Sequence, residues 1–117
     1  QGSIQAKKIN GKFYAFTKAA RENSYKLVLD HALELQDLGV GEMLITSADR
    51  DGTLKGIDWH LLEKLRHKLE IPLIFCGGLS SLEEFKKILR YDFLSGIAIG
   101  SALHSNRLHI KKLKSLL

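Results

Sequence analysis

The chain is poor in the residues that staple, break or anchor a fold. Among 117 residues there is one cysteine, Cys76, one proline, Pro72, one methionine and one tryptophan. A single cysteine excludes an internal disulfide and fits a reducing, cytoplasmic compartment. No apolar run approaches the ~20 residues that a membrane-spanning helix requires, and no segment has the build of a signal peptide, so no membrane role is expected. His31, His60, His67, His104 and His109 lie singly along the chain, without metal-ligand spacing. Neither a metal nor another cofactor is expected. No nucleic-acid motif with a defined fold is present, and no nucleic-acid partner is expected.

What remains is ordinary for a globular protein. Hydrophobic residues make up 44% and charged residues 26%, and the length suits one domain, residues 1–117, with one core. The net charge is +5, and a basic surface draws anionic substrates or acidic partners. Its lysines and arginines are scattered, except Lys111, Lys112 and Lys114, which alternate with Ile110, Leu113, Leu116 and Leu117 as on the solvated face of a surface helix. The sequence opens on Gln1, almost directly at a strand-like segment. Together these two facts suggest a piece of a longer protein.

Short apolar runs alternate with amphipathic stretches. Residues 3–6 form a candidate first strand. Asn10-Gly11 lies between Lys8-Ile9 and the β-rich run 13–17, which signals a hairpin. Residues 24–38 read as a helix with Leu27, Val28, Ala32, Leu35 and Leu38 on one face and Gly39 as its stop. A second strand spans 42–46, and a polar, glycine-containing loop spans 47–57. Asp58 is a candidate cap for a helix whose inner face holds Leu61, Leu62, Leu65 and Leu69. A third strand, 71–75, tolerates Pro72 near its start and ends at Gly77-Gly78. Ser81 and Glu84 have capping-box spacing before Leu82, Phe85, Ile88 and Leu89. Residues 96–99 form a fourth strand, wholly apolar, and a last helix closes at Leu117. Strands without polar alternation belong to parallel sheets buried on both faces, and parallel strands need helical crossovers. The order is therefore four βα units, which fits either part of a barrel or an open flavodoxin-like sheet.

In both architectures ligands sit at the C-terminal ends of the strands. Three of those ends carry small, polar or glycine residues: Thr46-Ser47-Ala48-Asp49-Arg50-Asp51-Gly52-Thr53, then Cys76-Gly77-Gly78, then Gly100-Ser101. Glycines allow close backbone approach to an anion, and successive N–H groups with a helix N-terminus behind them bind phosphate. In (βα)8-barrels such sites follow the seventh and eighth strands. Cys76 reads as a small buried thiol at a strand end.

These residues carry a resemblance. The run from Gly41-Glu42-Met43-Leu44-Ile45-Thr46-Ser47 through Asp49-Arg50-Asp51-Gly52-Thr53, continued by Lys55-Gly56-Ile57-Asp58, resembles the sixth strand of the cyclase subunit of imidazole glycerol phosphate synthase. Ile71-Pro72-Leu73-Ile74 with Cys76-Gly77-Gly78 is similar to its seventh strand, and residues 97–104 to its eighth. Residues 4–17, with Ala6-Lys7-Lys8 and Gly11, are similar to its fifth strand and hairpin. The resemblance covers essentially the whole chain. It implies an α/β fold, the (βα)4 half of a TIM (βα)8-barrel comprising strands five to eight, with a β-hairpin after the first strand.

The resemblance also implies an activity. That family takes ammonia from a glutamine amidotransferase subunit to cleave and cyclise a bisphosphorylated ribulose–aminoimidazole-carboxamide substrate in histidine biosynthesis. Gly52, Gly77, Gly78, Gly100 and Ser101 would hold one phosphate. Thr46 and Asp51 would line the substrate cavity, and Glu42 would match a charged ammonia gate. Asp49 and Arg50 would either contact substrate or pair with each other. A missing N-terminal half-barrel, or a second copy of the chain, would complete the structure, because four βα units leave two open strand edges.

One position departs from the pattern. The family's fifth-strand aspartate, a general acid or base, aligns with Gln5. A glutamine amide has no proton-transfer pKa in the useful range, although it can orient a substrate. Lys7 shares the face of Gln5 and Lys8 does not. The departure keeps two alternatives open: an ammonia-conducting, cyclase-like subunit of a surface-polysaccharide sugar amidation system, and a catalytically inactive phosphate-binding half-barrel.

Overall fold

A computed structural model of the protein describes residues 2–17, 21–50, 56–78, 81–99 and 106–109. In chain order these form β1 (Gly2–Ile9), β2 (Lys12–Thr17), β3 (Glu22–Leu27), α1 (Val28–Asp37), β4 (Met43–Ser47), α2 (Trp59–Leu65), β5 (Leu73–Cys76), α3 (Leu82–Ile88), β6 (Leu94–Ile99) and β7 (Asn106–His109). The strands make one sheet in the order β3-β2-β1-β4-β5-β6-β7. Its centre, β1-β4-β5-β6, is parallel. The antiparallel pair β2-β3 flanks it on one side and the antiparallel β7 on the other. This is an α/β fold in which each helix crosses from one parallel strand to the next, as the alternation of apolar and amphipathic segments requires.

Local chemistry fixes the punctuation. Asn10 and Gly11 have φ of 50° and 80°, the two positive values that a type I′ hairpin needs. At the end of α1, the Val40 N–H donates to the Leu35 carbonyl at 3.2 Å and the Gly39 N–H to the Gln36 carbonyl at 3.0 Å. With Gly39 at φ 96°, this is the Schellman arrangement that glycine permits. Asp58 caps α2 by accepting from the Leu61 N–H at 3.2 Å, and Ser81 caps α3 by accepting from the Glu84 N–H at 3.2 Å.

Three expectations need correction. Residues 24–27 belong to β3, and helix α1 begins only at Val28. Asn23 Oδ1 accepts from the Tyr25 N–H at 2.8 Å and Ser24 Oγ from the Lys26 N–H at 3.2 Å. Such side-chain bonds compete with the helical pattern, and pairing with β2 holds the segment extended. Leu38 lies just beyond the helix and is 81% exposed, so it is not part of the inner face. Residues 106–109 form β7 against Gly96–Ile99. The outer edge of β6 is therefore paired rather than open, and β2 likewise pairs β1 from Gln5 to Ile9. The helix expected at 110–117 lies outside the described residues.

The two faces of the sheet differ. Ile4, Met43, Ile45, Leu73, Phe75 and Ile97 point to the helical side and pack with Val28, Ala32, Leu61, Leu62, Leu65 and Ile88. The opposite face carries a smaller cluster of Ile74, Cys76 and Ala98, with Leu44 against it. Phe75 is 2% exposed. Phe75→Ala should lower unfolding free energy by about 3–5 kcal/mol, because it removes buried area and leaves a cavity. Leu38→Ala should change it by no more than about 0.5 kcal/mol. Urea denaturation midpoints compared at equal m-values would check both; similar midpoints for the two variants would contradict this assignment of the core.

Candidate functional site at the strand ends

Strand register places two of the expected residues, Gln5 and Thr46, in one row with Cys76 and Ala98. Gln5 is level with Thr46, Thr46 with Cys76, and Cys76 with Ala98. Because side chains alternate along a strand, these four share the face away from the helices. Gln5 is half-buried, while Thr46 and Cys76 are each 6% exposed. Cys76 packs with Ile74 and Ala98, so it is a buried thiol on the inner face. Neighbouring strands lie ~4.8 Å apart, which places Gln5 and Cys76 roughly 10 Å apart across Thr46.

The Gly77-Gly78 turn follows directly above this row. Gly77 has φ of 135° and Gly78 of 78°, in the region that side chains strain to occupy. A Cβ on Gly77 would lie 3.0 Å from the Ser47 carbonyl oxygen, and one on Gly78 would collide with the Gly56 carbonyl. Glycine is required at both positions because the turn presses against the loop that follows β4.

That loop is fastened at several points. The Ala48 N–H donates to the Ala6 carbonyl at 2.9 Å. Asp49 Oδ2 accepts from the Lys8 N–H at 2.8 Å. Arg50 Nη1 donates to the Gly56 carbonyl at 3.3 Å, and Glu84 Oε2 accepts from the Ile57 N–H at 2.9 Å. Asp49 thus ties the loop to β1, and Arg50 closes it on itself. Sequence spacing marks Glu84 as a capping residue, whereas the fold also makes it a latch from α3. No sequence pattern announces that, because the contact spans 27 residues and depends on how α3 lies over the loop.

Other expected residues sit elsewhere. Glu42 immediately precedes β4, at the opposite end of the parallel strands from Gly77; its side chain is half-buried and its carbonyl accepts from the Gly2 N–H at 2.8 Å. Asp51, Gly52, Gly100 and Ser101 lie outside the described residues. His60 is exposed and packs edge-on against Phe13 on the helical side. Burial, and then the neighbouring Glu63 carboxylate, push the Tyr91 phenol above its ordinary range, but Tyr91 bridges α2 and α3 remote from this row. A cavity of about 260 Å³ lined by Phe13, Leu27, Val28, Leu61 and Leu65 also lies on the helical side, behind the sheet. Among the described residues no three potential metal ligands cluster, and no helix is long and apolar enough to cross a membrane.

The chain is 37% identical to the imidazole glycerol phosphate synthase subunit HisF of Prochlorococcus marinus (strain MIT 9215), over 92% of this chain and 42% of that protein. It is 34% identical to the same subunit of Saccharolobus solfataricus, over 98% of this chain and 46% of that protein, and 33% identical to that of Thermotoga sp. (strain RQ2), over 98% and 45%. It thus spans a little under half the length of these relatives. The family model described as histidine biosynthesis protein matches residues 2–109, which takes in every described strand and helix, and the chain belongs to that family.

Proposed function

We propose that β1, β4, β5 and β6 are strands five to eight of a (βα)8-barrel, and that the chain forms the C-terminal half of a cyclase of histidine biosynthesis. In this reading the face carrying Gln5, Thr46 and Cys76 looks into the barrel. The Gly77-Gly78 turn, with Gly52, Gly100 and Ser101, holds one phosphate of the bisphosphorylated ribulose–aminoimidazole-carboxamide substrate. Thr46 and Asp51 contact the body of that substrate. A first half-barrel, or a second copy, supplies the remaining wall by pairing with β6 in place of β7 and with the start of β1, which β2 does not pair, and the protein works in the cytoplasm.

The single observation that carries the proposal is the position of the Gly77-Gly78 turn. It stands at the C-terminal end of a parallel strand, with positive φ at both residues, pressed on the loop after β4. Backbone N–H groups without side chains are what an anion needs there. Glu42 lies at the opposite end of the strands. It would face a glutamine amidotransferase subunit and gate the ammonia that this subunit delivers. Ammonia would then travel along the inner face from Glu42 toward Thr46. The relatives compared above carry the synthase name, which favours the histidine pathway over sugar amidation.

Gln5 favours a second reading of the same site. It stands where the resemblance places an acid–base aspartate, so this half would bind and orient the substrate without moving its proton. The assay that separates the two readings supplies the full-length protein with ammonium and the bisphosphorylated substrate. Turnover would establish the cyclase. Substrate binding without turnover would establish the inactive phosphate-binding form, and absence of both would overturn the site itself.

A further inference from the structure

Within β1, β4, β5 and β6, the face that carries Gln5, Thr46 and Cys76 has one charged residue among the described positions, Lys7. Lys7 is half-buried, and its Nζ lies 5.1 Å from the centroid of the Phe16 ring. The ion pairs found among the described residues, Lys26–Glu34 and Arg66–Glu63, do not involve it. A ring face attracts an ammonium but does not neutralise it. Gln5, two residues back on the same face, is neutral, whereas a carboxylate there would compensate the charge. Gln5 therefore adds no negative charge beside Lys7, and the nearby Asp49 carboxylate is engaged by the Lys8 N–H.

The register relates Lys7 to the glycine turn. Ala6 is level with Ser47, and the Ala48 N–H continues the ladder to the Ala6 carbonyl, so Lys7 is level with Ala48. Thr46 is level with Cys76, and Gly77, which follows, lies against the Ser47 carbonyl, next to Ala48. Two strand spacings of ~4.8 Å, roughly 10 Å, then separate the backbone of Lys7 from this turn, and the ammonium leaves the Phe16 ring on β2 to reach toward it. The arm of a lysine and a short phosphorylated ligand close that gap between them.

We propose that Lys7 is the second anchor of this site. Its ammonium takes an anionic oxygen, such as a carboxylate or enolate, of a small ligand whose phosphate rests on Gly77-Gly78. The proposal depends on the phosphate reading given above. It also gives Gln5 a consequence beyond a lost proton-transfer group, since the amide keeps Lys7 available to the ligand.

The test uses two probes on the chain by titration calorimetry. Phosphoglycerate has a phosphate and a carboxylate, and glycerol phosphate has the phosphate without the carboxylate. The chain should bind phosphoglycerate roughly tenfold more tightly, the scale of one charge-assisted hydrogen bond. Lys7→Gln should erase that preference and leave glycerol phosphate affinity unchanged. Lys7→Arg should keep it, and so should Lys8→Gln, because the Lys8 ammonium sits over Phe13 on the other face. Gln5→Asp should diminish it. Equal affinity for the two probes, or a preference that survives Lys7→Gln, would overturn the proposal and leave the phosphate site standing. Binding of neither probe would overturn the phosphate site, and this anchor with it.

Discussion

Gly77→Asp is expected to abolish phosphate binding, with inorganic phosphate affinity at least roughly 100-fold weaker by titration calorimetry, a loss of about 2.7 kcal/mol. Two causes act together. The carboxylate brings negative charge to the place where an anion should sit, and like charges a few ångströms apart repel strongly in a partly dry site. The new Cβ also meets the Ser47 carbonyl oxygen at 3.0 Å, on a backbone with φ of 135°, so the turn must shift. Gly77→Ala separates the two, because it brings the crowding and the strain without the charge. It should weaken phosphate less than Gly77→Asp while lowering stability by about 1–3 kcal/mol, the cost of a side chain in sparsely populated backbone space. Unchanged affinity in Gly77→Asp would show that the anion binds elsewhere. Equal losses in both variants would assign the effect to turn geometry alone.

The features that sequence displays well are those decided by neighbours in the chain. Asn10-Gly11 announces its hairpin because two adjacent residues supply both positive φ values. Gly39 announces the end of α1, and Asp58 and Ser81 announce the starts of α2 and α3, since each acts within four residues. The parallel strands are legible because burial on both faces removes polar alternation, as in Leu73–Cys76. What sequence conceals depends on pairing across the fold. Residues 24–27 have helical spacing, yet β2 offers them a ladder and Asn23 and Ser24 withdraw backbone donors from the helix. β7 exists because β6 presents an edge to pair with, a reason that no local pattern contains. At the site, sequence marks Thr46 and Cys76 as lying at strand ends, but the row Gln5–Thr46–Cys76 is set by register across the sheet. No local pattern announces the clamp of Asp49 on the Lys8 N–H, 41 residues away.

Gln5→Asp carries the largest expected gain. In the full-length protein supplied with ammonium and the bisphosphorylated substrate, it should raise turnover roughly 10²- to 10⁴-fold, the usual worth of a positioned acid or base. The argument rests on placement. Gln5 is level with the buried Thr46 and lies below the Gly77-Gly78 turn, so a carboxylate there would face the middle of a ligand anchored by its phosphate. Its protonation state is set by Lys7 on the same face, because a nearby ammonium favours the ionised carboxylate. The new group would therefore work as a base at neutral pH. The rate should rise with pH as the carboxylate ionises and then level off. Lys7→Gln in the Gln5→Asp background should shift that rise to higher pH, since the charge that favours ionisation is gone. Phosphate affinity should stay unchanged throughout, because the glycine turn is untouched. A variant that binds phosphate as before but gains no turnover would show that position 5 is not where the reaction needs its base. A gain with no pH dependence would show that the carboxylate acts by orienting the ligand rather than by moving a proton.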